Sequence, residues 1–520
     1  MPIGGSHQRN TLAVFADGFR VVCWLSLPVL LAFLWFGSQA LASPAGVHLS
    51  KAVKHAPREA YLDPTFGEAG RTALPPQVIE GSVIPVLMRD DSLIISTGRS
   101  LERLAPDGQL DESFGQSGTL TPPAPPDGNF EIDGLAVDSQ GRLIVAGTSQ
   151  LPKEDIPPSV AIGNGTVESP QAARVMRYLP SGALDPSFGN AGVVETDLTL
   201  PAPHDEAGKQ ILSRPWVEVS GVAIDSQDRV VLTGGASAGV EFGCAHDWFF
   251  NTLTYAAFVA RFTEAGKLDP GFGGDGVFGG LSVAGNPLHA EVSVEPGIGP
   301  GGEVIYASGR GHCPRTEGSD GLAQLSAGGE PSLSFGAGGA VRRWVGTAAV
   351  EPSGTIVTLR YVSPWYFVKE PARALVTRLK PNGKPDRSFG RGGRTVLTTP
   401  GGAGSLLGAM ATDARGRLLL GGTMTSTKTF RGPSGHSKKR HRRSFVLVRL
   451  GVHGRLDRAF GPRGRVATRF GPLGVTESSL LLDSQGRAVM VGTYGPWNNR
   501  GLAVARYVVD RHPGRRFESG

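Results

Sequence analysis

The feature that most constrains this chain is a short run, Leu184 to Gly192 (Leu-Asp-Pro-Ser-Phe-Gly-Asn-Ala-Gly), which returns in variant form six more times between Tyr61 and Gly464. Phe-Gly pairs fall at Phe66-Gly67, Phe114-Gly115, Phe188-Gly189, Phe272-Gly273, Phe335-Gly336, Phe389-Gly390 and Phe460-Gly461, and a second glycine follows four residues after each Phe. A mean spacing of roughly 66 residues is the signature of a repeat architecture, in which one supersecondary unit is copied and stacked. With 75 glycines and 7% aromatics in 520 residues, that unit is turn-rich and built of short strands rather than long helices.

Each unit carries a second landmark upstream of the Phe-Gly turn. In the second unit, Leu135-Ala-Val-Asp138-Ser-Gln-Gly141-Arg142-Leu-Ile-Val-Ala-Gly147-Thr148 sets two β-rich runs around a tight polar turn, which predicts a hairpin. A third run follows a variable loop, as in Ala173 to Leu179, and many of these runs carry an Arg close to their end. The Phe-Gly turn then leads to a fourth run such as Val193 to Asp197. Four antiparallel strands, a to d, repeated seven times, predict an all-β, seven-bladed β-propeller. The last unit has strands a to c but no Phe-Gly turn, while the chain opens on an orphan Phe66-Gly67 turn and fourth strand. Docking about Arg71 to Ile79 beside Leu502 to Val508 closes the ring and covers two sheet edges. An open solenoid leaves both fragments incomplete.

Repeats that pair Asp-x-x-Gly-Arg with Leu-Asp-x-Ser-Phe-Gly-x-x-Gly resemble the bacterial delta-60 repeat family, and the likeness spans about Tyr61 to Val508. The resemblance implies an exported, propeller-like protein of undefined biochemical role. Departures sit in the fifth copy of the Phe-Gly motif, where Pro331-Ser332 replaces Leu-Asp, and in the first and fourth hairpin turns; these blades are expected to be less regular. The repeated Asp63, Asp111, Asp185, Asp269, Asp386 and Asp457 could be read as a ring of metal ligands. The stronger reading makes each a turn residue that accepts backbone N–H bonds, with the Phe anchoring the turn between blades and the glycines supplying positive φ. No metal or cofactor is expected.

Residues 1–42 read as an export signal: Arg9 and Arg20, an apolar run from Val21 to Phe36, then Ala40-Leu41-Ala42 before Ser43. The rival is an uncleaved membrane anchor, and a membrane is an expected partner only in that case. Residues 43–60 form a linker, 61–509 the propeller and 510–520 a disordered tail. The expected location is extracellular or at the cell surface, as a monomer. Cys244 and Cys313, in the b–c loops of adjacent blades, are expected to pair as a disulfide there.

Function is expected on one face. Antiparallel order puts the a–b and c–d turns, nearly constant in length, on one side and the b–c and d–a connections, which hold almost every insertion, on the other. Trp248, Phe249 and Tyr255 in one insertion, Trp365 and Tyr366 in another, and Trp497 in a third are candidates to stack on sugars or anchor a protein, or else to cap their own loops. Lys438, Lys439, Arg440, Arg442 and Arg443, five fixed charges in six residues, are candidates to bind anionic wall polymers, acidic glycans or lipid headgroups, against the blander reading of a solvated, disordered loop. The net charge of +6 is mild and implies no nucleic-acid groove. Gly235-Ala-Ser237-Ala-Gly239 lacks the strand-to-helix setting of a nucleophile elbow. Asp127, Asn129, Glu131 and Asp133 alternate like a calcium loop, but Ile132 stands where Gly is needed. These features predict a non-catalytic binding or scaffold propeller for glycan, wall polymer or protein. The alternative is an extracellular lyase or glycoside hydrolase with carboxylates and histidines near the axis.

Overall fold

Runs such as Leu143-Ile-Val-Ala and Val230-Val-Leu are apolar without alternation, so the strands that carry them must be buried on both faces. Stacking each sheet between two others satisfies that requirement, and the chain does this seven times. The computed structural model describes residues 61–510 apart from 78, 80, 127, 151–170, 197, 199–215, 238–254, 280–290, 293–295, 310–320, 343–345, 363–371, 400–404, 432–436, 472–473 and 497–498. Among the described residues there is no helix, and the strands form seven antiparallel sheets.

Blade two shows the unit: strand a (Asn129–Val137), b (Leu143–Gln150), c (Gln171–Tyr178) and d (Val193–Thr196), paired in that order. The a strands of successive blades touch one another in a closed ring, from Pro85–Leu87 in blade one to Val475–Leu482 in blade seven and back, which places them innermost. Between blades lie the apolar cores. Ile144 and Ala146 of blade two, for example, pack with Val217, Val219 and Val222 of blade three around Phe188. In blade four, strand a is broken into Glu291–Val292 and Gly297–Ile298, both pairing with Val304–Gly309, in line with its degraded turn sequence.

The ring closes as the orphan fragment requires. Arg71, Thr72 and Ala73 pair with Ala505, Val504 and Ala503 as the fourth strand of blade seven, and Leu74 and Gln77 N–H continue the ladder to Leu502 and Arg500 carbonyls. Upstream, Tyr61 enters between blades six and seven. Its hydroxyl donates to Ala459 O (3.1 Å) and accepts from Gly461 N (3.0 Å), while its ring meets Phe460 edge-on at 5.0 Å.

The Phe-Gly motif is a clasp between neighbours. Asp185 accepts from Ser187 N (3.0 Å) and Ser187 Oγ (2.7 Å), fixing the turn as its sequence predicts. Arg177 of strand c then does three things: Nε donates to Asp185 (2.8 Å), the guanidinium lies over the Phe188 ring at 4.7 Å, and Nη1 donates to Glu264 O of blade three (2.6 Å). Arg103, Arg261, Arg378, Arg449 and Arg506 repeat the pattern, each reaching a carbonyl of the next blade (Pro180, Ala327, Val452, Val509 and Pro106). The Phe ring lies against the turn glycine of that next blade; a Cβ on Gly108, where φ is +84°, would sit 2.8 Å from Phe66. Blade four has Gln324 and Ser332 in place of the Arg and Asp, and there the backbone tie from Gly336 N to Asn382 O remains.

Candidate functional site

With the clasp on the face of the constant turns, the opposite face is left to the insertions, and its best-described element belongs to blade six. Strands b (Leu418–Arg431) and c (Ser437–Leu450) are fourteen residues each and pair along their whole length. Pairing to strand a ends at Leu406↔Thr423 and to strand d at Phe445↔Thr468. The pairs from Met424↔Ser444 to Arg431↔Ser437 therefore form a two-stranded ribbon, of which the six from Ser426↔Arg442 outward run about 20 Å beyond the blade.

This corrects the reading of the Lys438–Arg443 run as a disordered loop: it is strand, although most of its side chains are solvated as that reading had them. The physical reason lies on the partner strand, where Thr423, Thr425, Thr427 and Thr429 alternate and supply β-branched residues at every second position. Register sorts the ribbon into two faces. One holds the positions of Lys428, Phe430, Lys438, Arg440 and Arg442; the other holds Thr427, Thr429, Arg431, Lys439, His441 and Arg443. Lys428, Phe430, Arg431, Lys439, Arg440, His441 and Arg443 are exposed, and Arg442 is half-buried. Thr427 Oγ1 and His441 Nδ1 lie 2.9 Å apart, tying the strands side chain to side chain. No Asp or Glu occurs between Asp413 and Asp457.

A second group sits at the axis. Strand a of blade two bulges between Ile132 and Gly134, and strand b answers with Gly147, where a Cβ would come within 1.8 Å of Glu131 O. The bulged residue is Asp133. Its Oδ2 accepts from Thr148 Oγ1 (2.7 Å), which in turn accepts from Val219 N of blade three (3.1 Å). Burial, reinforced by the negative charges of Glu131 and Glu218 and opposed by Thr148, pushes the Asp133 carboxyl up to about 7. Because the folded value lies above the ordinary 3.8, the fold favours the protonated acid, and stability falls as pH rises from about 4 to about 7. Asp133→Asn is therefore expected to be more stable than the parent above pH 7, by up to about 4 kcal/mol, with the difference vanishing near pH 4. Denaturation at pH 8 and pH 4 checks this, and an equal effect at both sets aside the shifted carboxyl.

Trp248, Phe249, Trp365, Tyr366, Trp497, Cys244 and Cys313 lie outside the described residues, and Tyr255 begins strand c of blade three (Tyr255–Phe262). The Lys438–Arg443 candidates fall together on the ribbon. Sequence reading missed Lys428, Phe430 and Arg431, whose signal was the alternating Thr pattern around them, and it dismissed Asp133 along with the calcium-loop pattern.

A family model described as a domain of unknown function (DUF5122) beta-propeller matches residues 160–188, ending on the Phe188 clasp of blade two. The chain fits a repeat-type propeller family to that extent. No curated protein matches it in sequence. Among solved structures it is similar to the polysaccharide lyase Uly1 (8% identity, 84% of this chain and 91% of that one, TM-score 0.44). A virginiamycin B lyase from Staphylococcus aureus follows at 10% identity, covering 83% and 98% of the two chains with a TM-score of 0.40. A protein of unknown function from Dyadobacter fermentans gives 9%, 74% and 96%, with a TM-score of 0.35. Likenesses of this size carry no statement about function.

Proposed function

We propose that this chain is an exported protein of the delta-60 repeat type that works at the cell surface as a non-catalytic binding propeller, taking an anionic polymer on its insertion-bearing face. The observation that carries the reading is the blade-six ribbon: seven Lys and Arg residues between Thr425 and Ser444, with no acid among them, held out from a rigid frame. Lys428 stands directly opposite Arg440, and like charges in that position destabilise a strand pair. A polyanion relieves that repulsion. The clasp explains the frame, since six guanidiniums staple neighbouring blades and leave the other face free to vary.

The test is binding of the full chain to isolated cell wall and to soluble polyanions. Neutralising Lys439, Arg440, Arg442 and Arg443 to Gln is expected to weaken binding by at least about tenfold near 0.1 M salt, and raising the salt should weaken the parent in the same way. Unchanged binding by the quadruple variant removes the reading. A second reading, an extracellular enzyme acting at the axis, draws on Asp133, a carboxyl poised to exchange a proton near neutrality. Turnover of any polymer that is abolished in Asp133→Asn, with binding intact, would favour it.

A further inference from the structure

We infer that the ligand of the ribbon is a linear phosphodiester chain of the polyol-phosphate kind, read by the spacing of its charges; this rests on the proposed polyanion-binding reading and names the ligand class. Alternate residues on one face of a strand stand about 7 Å apart. Lys438, Arg440 and Arg442 occupy three consecutive positions of one such row, and Lys439, His441 and Arg443 occupy three on the other face. A fully extended unit of one phosphate and three carbons spans six bonds, each about 1.5 Å before projection, and so repeats at about 7 Å. One phosphate then meets each Lys or Arg of the first row in turn, and on the other face Lys439 and Arg443 stand two repeats apart with His441 between them. A glycan with one charge per disaccharide spaces its charges more widely and meets every second cation at best.

The side chains fit this ligand in two further ways. The Arg fork presents paired donors to the two non-bridging oxygens of a phosphodiester, and the hydroxyl of Thr429, on the same face as Lys439 and Arg443, adds a neutral donor beside the charges. Nucleic acid has a related backbone, but its single strands are held by stacking successive bases on aromatic platforms. The described ribbon carries two aromatic rings, Phe430, which is 47% exposed, and His441, which is tied to Thr427; they lie on opposite faces and form no row of stacking platforms, and Thr or Ser fills the other uncharged positions from Thr425 to Thr429. The observations therefore favour a phosphodiester chain without bases.

The experiment measures binding of the full chain to four probes of matched charge number: poly(glycerol phosphate), poly-L-glutamate, a sulfated disaccharide polymer and single-stranded oligo(dT). Poly(glycerol phosphate) is expected to bind at least about tenfold tighter than the carboxylate and sulfate probes, and Arg440→Gln with Arg442→Gln should remove most of that margin and flatten the salt dependence by roughly one to two contacts. Lys384→Gln with Arg391→Gln, on the clasp face, is the charge-matched control and should change nothing. Equal binding of the three non-nucleic probes, or tighter binding of oligo(dT), overturns the polyol-phosphate assignment while leaving a polyanion-binding propeller standing. Binding of none of them at low salt removes both.

Discussion

Asp63→Ala is expected to destabilise the protein by about 4 kcal/mol, roughly twice the cost of the same change at Asp386. The two residues hold equivalent places in the clasp. Asp63, however, closes the ring: it takes Arg506 Nε at 2.8 Å and Arg487 Nη1 at 3.2 Å from residues more than 400 positions away, and it orders Thr65 through N–H and hydroxyl bonds at 3.0 and 2.7 Å. The side chains of Asp63 and Arg506 are 5% and 4% exposed, against 19% and 16% for Asp386 and Arg378. Removing Asp63 strands a buried guanidinium, whereas Arg378 keeps partial access to water. Arg506 also holds Pro106 O at 2.5 Å and covers Phe66 at 4.5 Å, so the loss reaches the joint between blades seven and one. Chemical denaturation of the two variants checks the ranking. Equal losses would mean that the N-terminal fragment adds nothing special to closure.

The clasp also shows what a sequence of this kind discloses. Seven blades and the closing strand were readable because Leu-Asp-x-Ser-Phe-Gly imposes one local geometry wherever it occurs, through an Asp that accepts from the residue two positions on and a glycine at positive φ. What that motif grips was not readable. The carbonyls taken by Arg103, Arg177 and Arg261 lie 77, 87 and 66 positions downstream, on backbone that any residue provides. Tyr61 is hidden for the same reason, since its hydroxyl meets Ala459 and Gly461 only once the ring is shut. At the ribbon the difficulty was a conflict of signals: Lys438 to Arg443 looks like a solvated loop by charge, and Thr423 to Thr429 looks like a strand by alternation. Cross-strand pairing settles it in favour of the alternation. Asp133 was visible as a residue but not as a buried one, because the bulge that turns it inward is announced only by Gly147 on the neighbouring strand.

Acid is expected to unfold this propeller steeply, in a window that neutral-pH contacts alone would not suggest. At Asp63, Asp185, Asp269 and Asp386 burial opposes ionisation, yet the turn N–H groups, the hydroxyls of Thr65, Ser187 and Ser388 where present, and the clasp arginines outweigh it and hold each carboxyl below its ordinary value. At Asp111 the Ser113 hydroxyl is the main cause, with burial working against it. A carboxyl held low stabilises the fold above its unfolded value and loses that contribution as pH falls through its folded one. Five such groups in one ring lose it together, so stability collapses below about pH 4. Asp133 acts with the opposite sign, its protonation between about pH 7 and pH 4 adding stability as acid is added. The stability profile is therefore expected to climb from pH 8 to about pH 4 and then fall sharply. Asp133→Asn should flatten the climb and leave the fall in place, while Asp386→Asn should blunt the fall and leave the climb. Melting curves across that range separate the two. A profile that declines smoothly from neutral pH in the parent, or an acid limb that is unchanged in Asp386→Asn, would show that the clasp carboxylates do not govern how the ring comes apart.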